Sequence, residues 1–192
     1  MTEQATLTPQ QIIRRKSAGE PVGPDEVPTV HRHVITVLLE NSIGALNRVT
    51  NMFSARGFNL ESVSVGPTDR ERVSRLTLVT TGNDRIIGQV LQQLRNLVDT
   101  LVVDDVTNGE YVERELCLVK VSYTVESRPA LMDIVEIFRG NVINITPETM
   151  TFEVTGPTSK INAFIGMMKP HGINELARSG RVAMRRHLAF EG

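Results

Sequence analysis

The chain reads as α+β, two ferredoxin-like βαββαβ domains in tandem. Apolar residues change from alternation to helical spacing in the order strand, helix, strand, strand, helix, strand, and the same order then runs a second time. At 192 residues, 40% apolar and 22% charged, the composition is that of an ordinary globular protein. The length allows one large domain or two of about 80 residues, each able to enclose a modest core.

Residues 1–30 carry Pro9, Pro21, Pro24 and Pro28 with mixed charges and little apolar periodicity. They bury too little to offset their ordering entropy, so we read them as a flexible N-terminal extension with a short helix around Pro9–Ala18. The first domain, residues 31–108, opens with the aliphatic and β-branched run Val34–Leu39, a strand with at least one buried face. Ala45, Leu46, Val49, Met52 and Phe53 then recur at helical spacing, with Arg48 turned outward and Arg56-Gly57 ending the helix. Strands at Leu60–Val65 and Val73–Thr81 form a hairpin with one wet face around Gly66-Pro67-Thr68-Asp69. A second helix spans about Asp84–Val98, capped by Asn83 or Asp84, and a last strand, Leu101–Val106, ends at Asn108-Gly109.

Residues 109–115 read as a charged linker, with Glu113, Arg114 and Glu115 favoured as solvated over an acid–base cluster. The second domain, 116–180, repeats the pattern. It predicts strand Leu116–Tyr123, a helix opened by Pro129 and stopped by Gly140, strands Val142–Ile145 and Thr149–Thr155, a helix bearing Ile161, Phe164, Ile165 and Met168, and strand Ile173–Arg178. Residues 181–192 are a basic tail, where Arg181, Arg185 and Arg186 join Arg178 as a solvated end or a subunit contact.

Several functions are disfavoured. A net charge of −1 and arginines without interleaved aromatics argue against nucleic acid. No run approaches the roughly 18 apolar residues of a membrane span, and MTEQATLTPQQ lacks the form of a secretory signal, so a cytoplasmic location is expected. Dinucleotide-fingerprint, Walker, G-x-S-x-G and H-E-x-x-H patterns are missing. His31 and His33 would share one face of a strand but have no third ligand nearby, which favours a solvated strand entry over a metal pair. The single cysteine, Cys117, sits among apolar neighbours as a small buried thiol. Met167 and Met168 read as core filler.

The strand-to-helix turn Asn41-Ser42-Ile43-Gly44 is the candidate site. Asn41 and Ser42 are good N-cap types, Gly44 permits φ > 0, and the first N–H groups of a helix can receive a carboxylate. Asn59 offers a donor and an acceptor just after the helix stop. A free α-amino acid needs that complement. Spacing alone favours the plainer reading, in which Asn41 only caps the helix and Asn59 only fills a turn.

The fragments LLEN-x-x-GAL-x-R, F-x-x-RG-F-N-L-ES, V-x-PT, VERE, LVK, EIFRG, ITP and ARSG follow one another from Leu38 to Gly180. In this the chain resembles the regulatory (small) subunits of acetolactate synthase, whose N-terminal part is an ACT domain. The resemblance implies a non-catalytic subunit of a transferase in branched-chain amino-acid biosynthesis. Its partner would be a large subunit that uses thiamine diphosphate, Mg2+ and FAD to join two 2-ketoacid units; no cofactor falls to this chain. The small subunit would raise that activity and confer feedback inhibition by valine, in some members by leucine or isoleucine. It would form a homodimer through paired ACT domains, with effector residues Asn41, Ser42, Ile43, Gly44, Ala45 and Leu46 from one chain and Asn59 from the other. The alternatives are an ACT-domain amino-acid sensor that regulates transcription or another enzyme, and a free-standing enzyme.

Overall fold

The structure, a computed structural model, describes residues 9–20 and 30–187. The expected N-terminal extension and the end of the basic tail fall partly outside them. Within the extension a short helix, α1 (Pro9–Ser17), forms as expected.

Two antiparallel units follow, each with four strands in the ferredoxin-like order, and a fifth strand joins the second sheet. The first contains β1 (His31–Glu40), α2 (Ala45–Ala55), β2 (Leu60–Pro67), β3 (Val73–Gly82), α3 (Asp84–Arg95) and β4 (Thr100–Asp105), in the spatial order β2-β3-β1-β4. Its central strand β1 is buried without interruption from His33 to Val37, as its apolar run requires. Ile35, Val37, Leu39, Leu76 and Leu78 face Val49 and Phe53 of α2 and Val90 and Leu94 of α3. Phe53 is 1% exposed, which contributes about 1.5–3 kcal/mol of hydrophobic stabilisation. Asn83 caps α3, its side chain accepting from the Ile86 N–H at 2.9 Å.

The second unit contains β5 (Tyr111–Ser122), α4 (Arg128–Ile137), β6 (Asn141–Ile145), β7 (Thr149–Gly156), α5 (Thr158–Met168) and β8 (Ile173–Arg178), in the order β6-β7-β5-β8. Cys117, Val119 and Val121 pack under Leu131, Ile161, Phe164 and Met168. Cys117 is fully buried, and burial pushes its thiol pKa up, so it is core material. Of the two adjacent methionines Met168 is core, whereas Met167 lies on the exposed side of α5.

Four expectations are corrected. The presumed linker is the start of β5: Tyr111 to Arg114 pair with β9 (Val182–Arg185), itself cut from the presumed basic tail. Several of the charged residues there are paired rather than solvated, whereas Arg114 is exposed. Arg178 donates to both oxygens of Glu115, at 2.6 and 2.8 Å, Arg181 donates to Glu113 at 3.2 Å, and Arg185 donates to Asp104 at 2.6 Å. The first sheet's face away from the helices is partly covered, because Ala183 packs on Val34, Val79 and Val106 and its N–H donates to Thr77 Oγ1 at 3.4 Å. Finally, His33 is 3% exposed, with Nδ1 3.1 Å from Asp105 Oδ2 and Nε2 4.0 Å from Asp84 Oδ1; strand alternation turns it to the helix side, beneath the start of α3.

The two units meet where small residues oppose each other. Gly180, at φ +73°, lies over Ser62 of β2, and a Cβ at position 180 would sit 2.6 Å from Ser62 Oγ and 3.3 Å from the Val63 carbonyl oxygen. Gly88, within α3, has open space around it and no such backbone demand. Gly180→Ala should therefore cost about 1–3 kcal/mol through strain and contact, whereas Gly88→Ala should add about 0.4–1 kcal/mol by restricting the unfolded chain. Urea-unfolding midpoints of the two variants check both signs.

Candidate functional site

The turn after β1 is built from four backbone hydrogen bonds. Glu40 N–H donates to the Asp99 carbonyl at 2.8 Å, Asn41 N–H to Arg72 O at 2.7 Å, Ser42 N–H to Glu40 O at 2.8 Å and Ala45 N–H to Ser42 O at 3.2 Å. Gly44 is the N-cap of α2, at φ 85°, ψ −1°, with no side-chain cap. Asn41 and Ser42 therefore do not cap the helix, contrary to the expectation from their residue types. With no side chain at Gly44 to cap the helix, the N–H groups of Leu46 and Asn47 have no acceptor among the described residues. They sit at the positive end of the helix.

These donors border a cleft of about 550 Å³ lined by Leu39, Glu40, Asn41, Ser42, Gly44, Ala45, Leu46, Asn47, Thr50, Val65 and Ser74. Donors at the helix start and apolar walls from Leu39, Leu46 and Val65 suit a small carboxylate with a branched aliphatic side chain. Five of the seven residues picked out in the sequence are brought together here. Ile43 is fully exposed and stands outside the cleft. Asn59 is also outside it within one chain: it is exposed, and its carbonyl accepts from Thr80 Oγ1 at 2.7 Å.

Behind the loop lies a pair that sequence reasoning missed. Asp99, between α3 and β4, has a side chain only 8% exposed. It accepts from Ser42 Oγ at 2.6 Å and from Arg48 Nη2 at 2.7 Å on Oδ1, and from Arg48 Nε on Oδ2. Arg48, expected to point outward, folds back from α2 and also donates to the Ile43 carbonyl at 3.3 Å. The guanidinium, then the Ser42 hydroxyl, hold the Asp99 carboxyl at a pKa of about 2, below the ordinary 3.8. The only signal in the sequence was an isolated acid between an apolar helix and a strand.

The turn that opens α4 in the second domain is built differently. At the corresponding turn Thr124 and Ser127 satisfy each other, Thr124 N–H donating to Ser127 Oγ at 2.8 Å and Ser127 N–H to Thr124 Oγ1 at 3.3 Å. Pro129, in the first turn of α4, contributes no N–H.

Comparison with known proteins matches both halves. Residues 35–102 fit the family model described as AHAS small subunit-like ACT domain, and residues 114–187 fit that of the small subunit of acetolactate synthase. The chain is 48% identical over 164 residues to the acetolactate synthase small subunit of Aquifex aeolicus (strain VF5), an overlap covering 84% of this chain and 85% of that one. It is 42% identical over 156 residues to the acetolactate synthase isozyme 3 small subunit of Escherichia coli (strain K12), covering 81% of this chain and 96% of the relative. The crystal structure of the acetolactate synthase small subunit from Thermotoga maritima superposes with a TM-score of 0.77 at 35% identity, covering 83% of this chain and 99% of that one.

Because Asp99 is more acidic in the folded chain than in the unfolded one, its stabilising contribution is complete above the unfolded value of 3.8 and is lost as pH falls through about 2. Asp99→Asn should therefore be less stable than the wild type at neutral pH, and the gap should close as the pH is lowered through that window. Urea-unfolding midpoints measured along a pH series check this; a gap that persists at the acid end would show that the charge is not its source.

Proposed function

Since the chain belongs to the acetolactate synthase small-subunit family, we propose that it is the regulatory, non-catalytic partner of a large catalytic subunit and binds a branched-chain amino acid, L-valine first, at the Asn41–Leu46 loop. The observation that carries this reading is the uncapped helix start at Gly44, where Leu46 and Asn47 line the cleft and their N–H groups have no acceptor among the described residues. Burying an ionised carboxylate and ammonium is costly unless both are hydrogen-bonded. The helix N–H groups address the carboxylate, and the Asn41 side chain with loop oxygens addresses the ammonium. Asn59 completes the shell from a second copy, in a homodimer formed through the first domains.

An aliphatic pocket discriminates by about 1–3 kcal/mol per methylene, so responses to valine, leucine and isoleucine overlap. Thiamine diphosphate, Mg2+, FAD and the condensation of 2-ketoacids stay with the large subunit. Feedback inhibition follows if the effector prefers the inhibited assembly over the active one. Among the described residues no helix is long and apolar enough to cross a membrane, and we place the assembly in the cytoplasm.

Acetolactate formation by the chain alone, by the large subunit alone and by the mixture tests the reading. The chain alone should be inactive, and the mixture should be faster than the large subunit and inhibited by L-valine. Gly44→Asp should retain activation and lose inhibition: its side chain would begin 3.1 Å from Arg48 Nη1, on a backbone with φ +85°, and would carry a carboxylate against the one expected from the ligand. Asn41→Ala and Asn59→His should act in the same direction. Undiminished valine inhibition in all three would overturn the site, and acetolactate made by the chain alone would overturn the non-catalytic role.

A further inference from the structure

Neither Asp99 nor Arg48 lines the cleft, yet together they hold the loop in front of it at successive points. The Asp99 carbonyl takes the Glu40 N–H at 2.8 Å, its carboxylate takes the Ser42 hydroxyl at 2.6 Å, and the Arg48 it anchors takes the Ile43 carbonyl at 3.3 Å. The next residue is Gly44, whose absent side chain leaves room for the guanidinium, with Nη1 3.1 Å from where a Cβ would be. The direction of the Leu46 and Asn47 N–H groups is set by how this stretch is held.

We propose that Asp99 is the positioning residue of the effector site: paired with Arg48 and Ser42, it locks the Glu40–Gly44 loop in the form that presents the first N–H groups of α2 to an amino-acid carboxylate. This rests on the reading of that loop as the effector site. The pair has a second effect. While Asp99 holds its guanidinium, Arg48 cannot swing into the cleft and offer a competing cation to other anions, so the site selects for a ligand that fits the backbone donors. Without the Asp99 charge, Arg48 keeps only the Ile43 carbonyl and the Ser42 hydroxyl, at 3.3 Å each.

The test is isothermal titration of L-valine into the full chain with its large subunit present, alongside the thermal midpoint of each ligand-free variant. Asp99→Asn and Arg48→Gln should each weaken L-valine binding by roughly tenfold or more, the loss that one charge-assisted hydrogen bond accounts for. Because the two act as a unit, the double variant should be no weaker than the weaker single one. Ser42→Ala, which leaves the ion pair in place, should lose part of the affinity, and Ser42→Thr, which keeps the hydroxyl, should restore it; a purely structural role would not produce that rescue. If the ligand-free midpoints fall while Asp99→Asn and Ser42→Ala bind L-valine as the wild type does, the positioning role is overturned and the effector site stands. If the wild type shows no saturable binding of L-valine, the effector-site reading fails and this inference with it.

Discussion

The first domain depends on one nearly buried carboxylate. Asp99 joins three pieces of chain far apart in sequence: the end of β1 and its turn, the first part of α2, and the connection from α3 to β4. An unpaired carboxylate at that depth would be strongly unfavourable, and a lone arginine beside Gly44 would be free to move. Brought together they satisfy each other, and the Ser42 hydroxyl takes up a further acceptor position. The chain then enters α2 at the left-handed Gly44, in front of this pairing.

A second set of ion pairs lies along the chain that runs between the two units, and one of them, Arg185 with Asp104, reaches the first unit. Arg178, Arg181 and Arg185 reach Glu115, Glu113 and Asp104, and between these anchors the chain runs as β9 beside the first turn of β5. The strand can lie against the first sheet because the contacts there are small: Gly180 against Ser62, and Ala183 against Val34 and Val79. The boundary between domains is thus a continuous strand, with Tyr111–Arg114 serving one side and Glu115–Ser122 the other.

Two copies of one topology stand in the chain, and the turns that open their first helices differ. The difference lies in single residues. A left-handed glycine with no side-chain cap opens α2, whereas Pro129 and the Thr124–Ser127 pair occupy the start of α4. Fold and function separate here, since the same frame carries a candidate effector site in one half and packing contacts in the other.

What the sequence determined by itself was periodicity and turn chemistry. The order of strands and helices, both cores and the Asn83 cap were legible because each rests on residues close together in the chain. So was the gathering of Asn41, Ser42, Gly44, Ala45 and Leu46, which share one turn. Tertiary structure alone decided which partners the polar groups take. Positions 48 and 99 are 51 residues apart and positions 115 and 178 are 63 apart, and no local pattern relates them. For that reason Arg48 read as a solvent-facing arginine, Asn41 and Ser42 read as caps, residues 109–115 read as a linker and His33 read as wet. Propensity weighs a side chain against water, whereas the folded chain gives Arg48, Ser42 and His33 a carboxylate and residues 111–114 a neighbouring strand. Propensity is local, whereas the pairing of charges and of strand edges is settled only when distant segments meet.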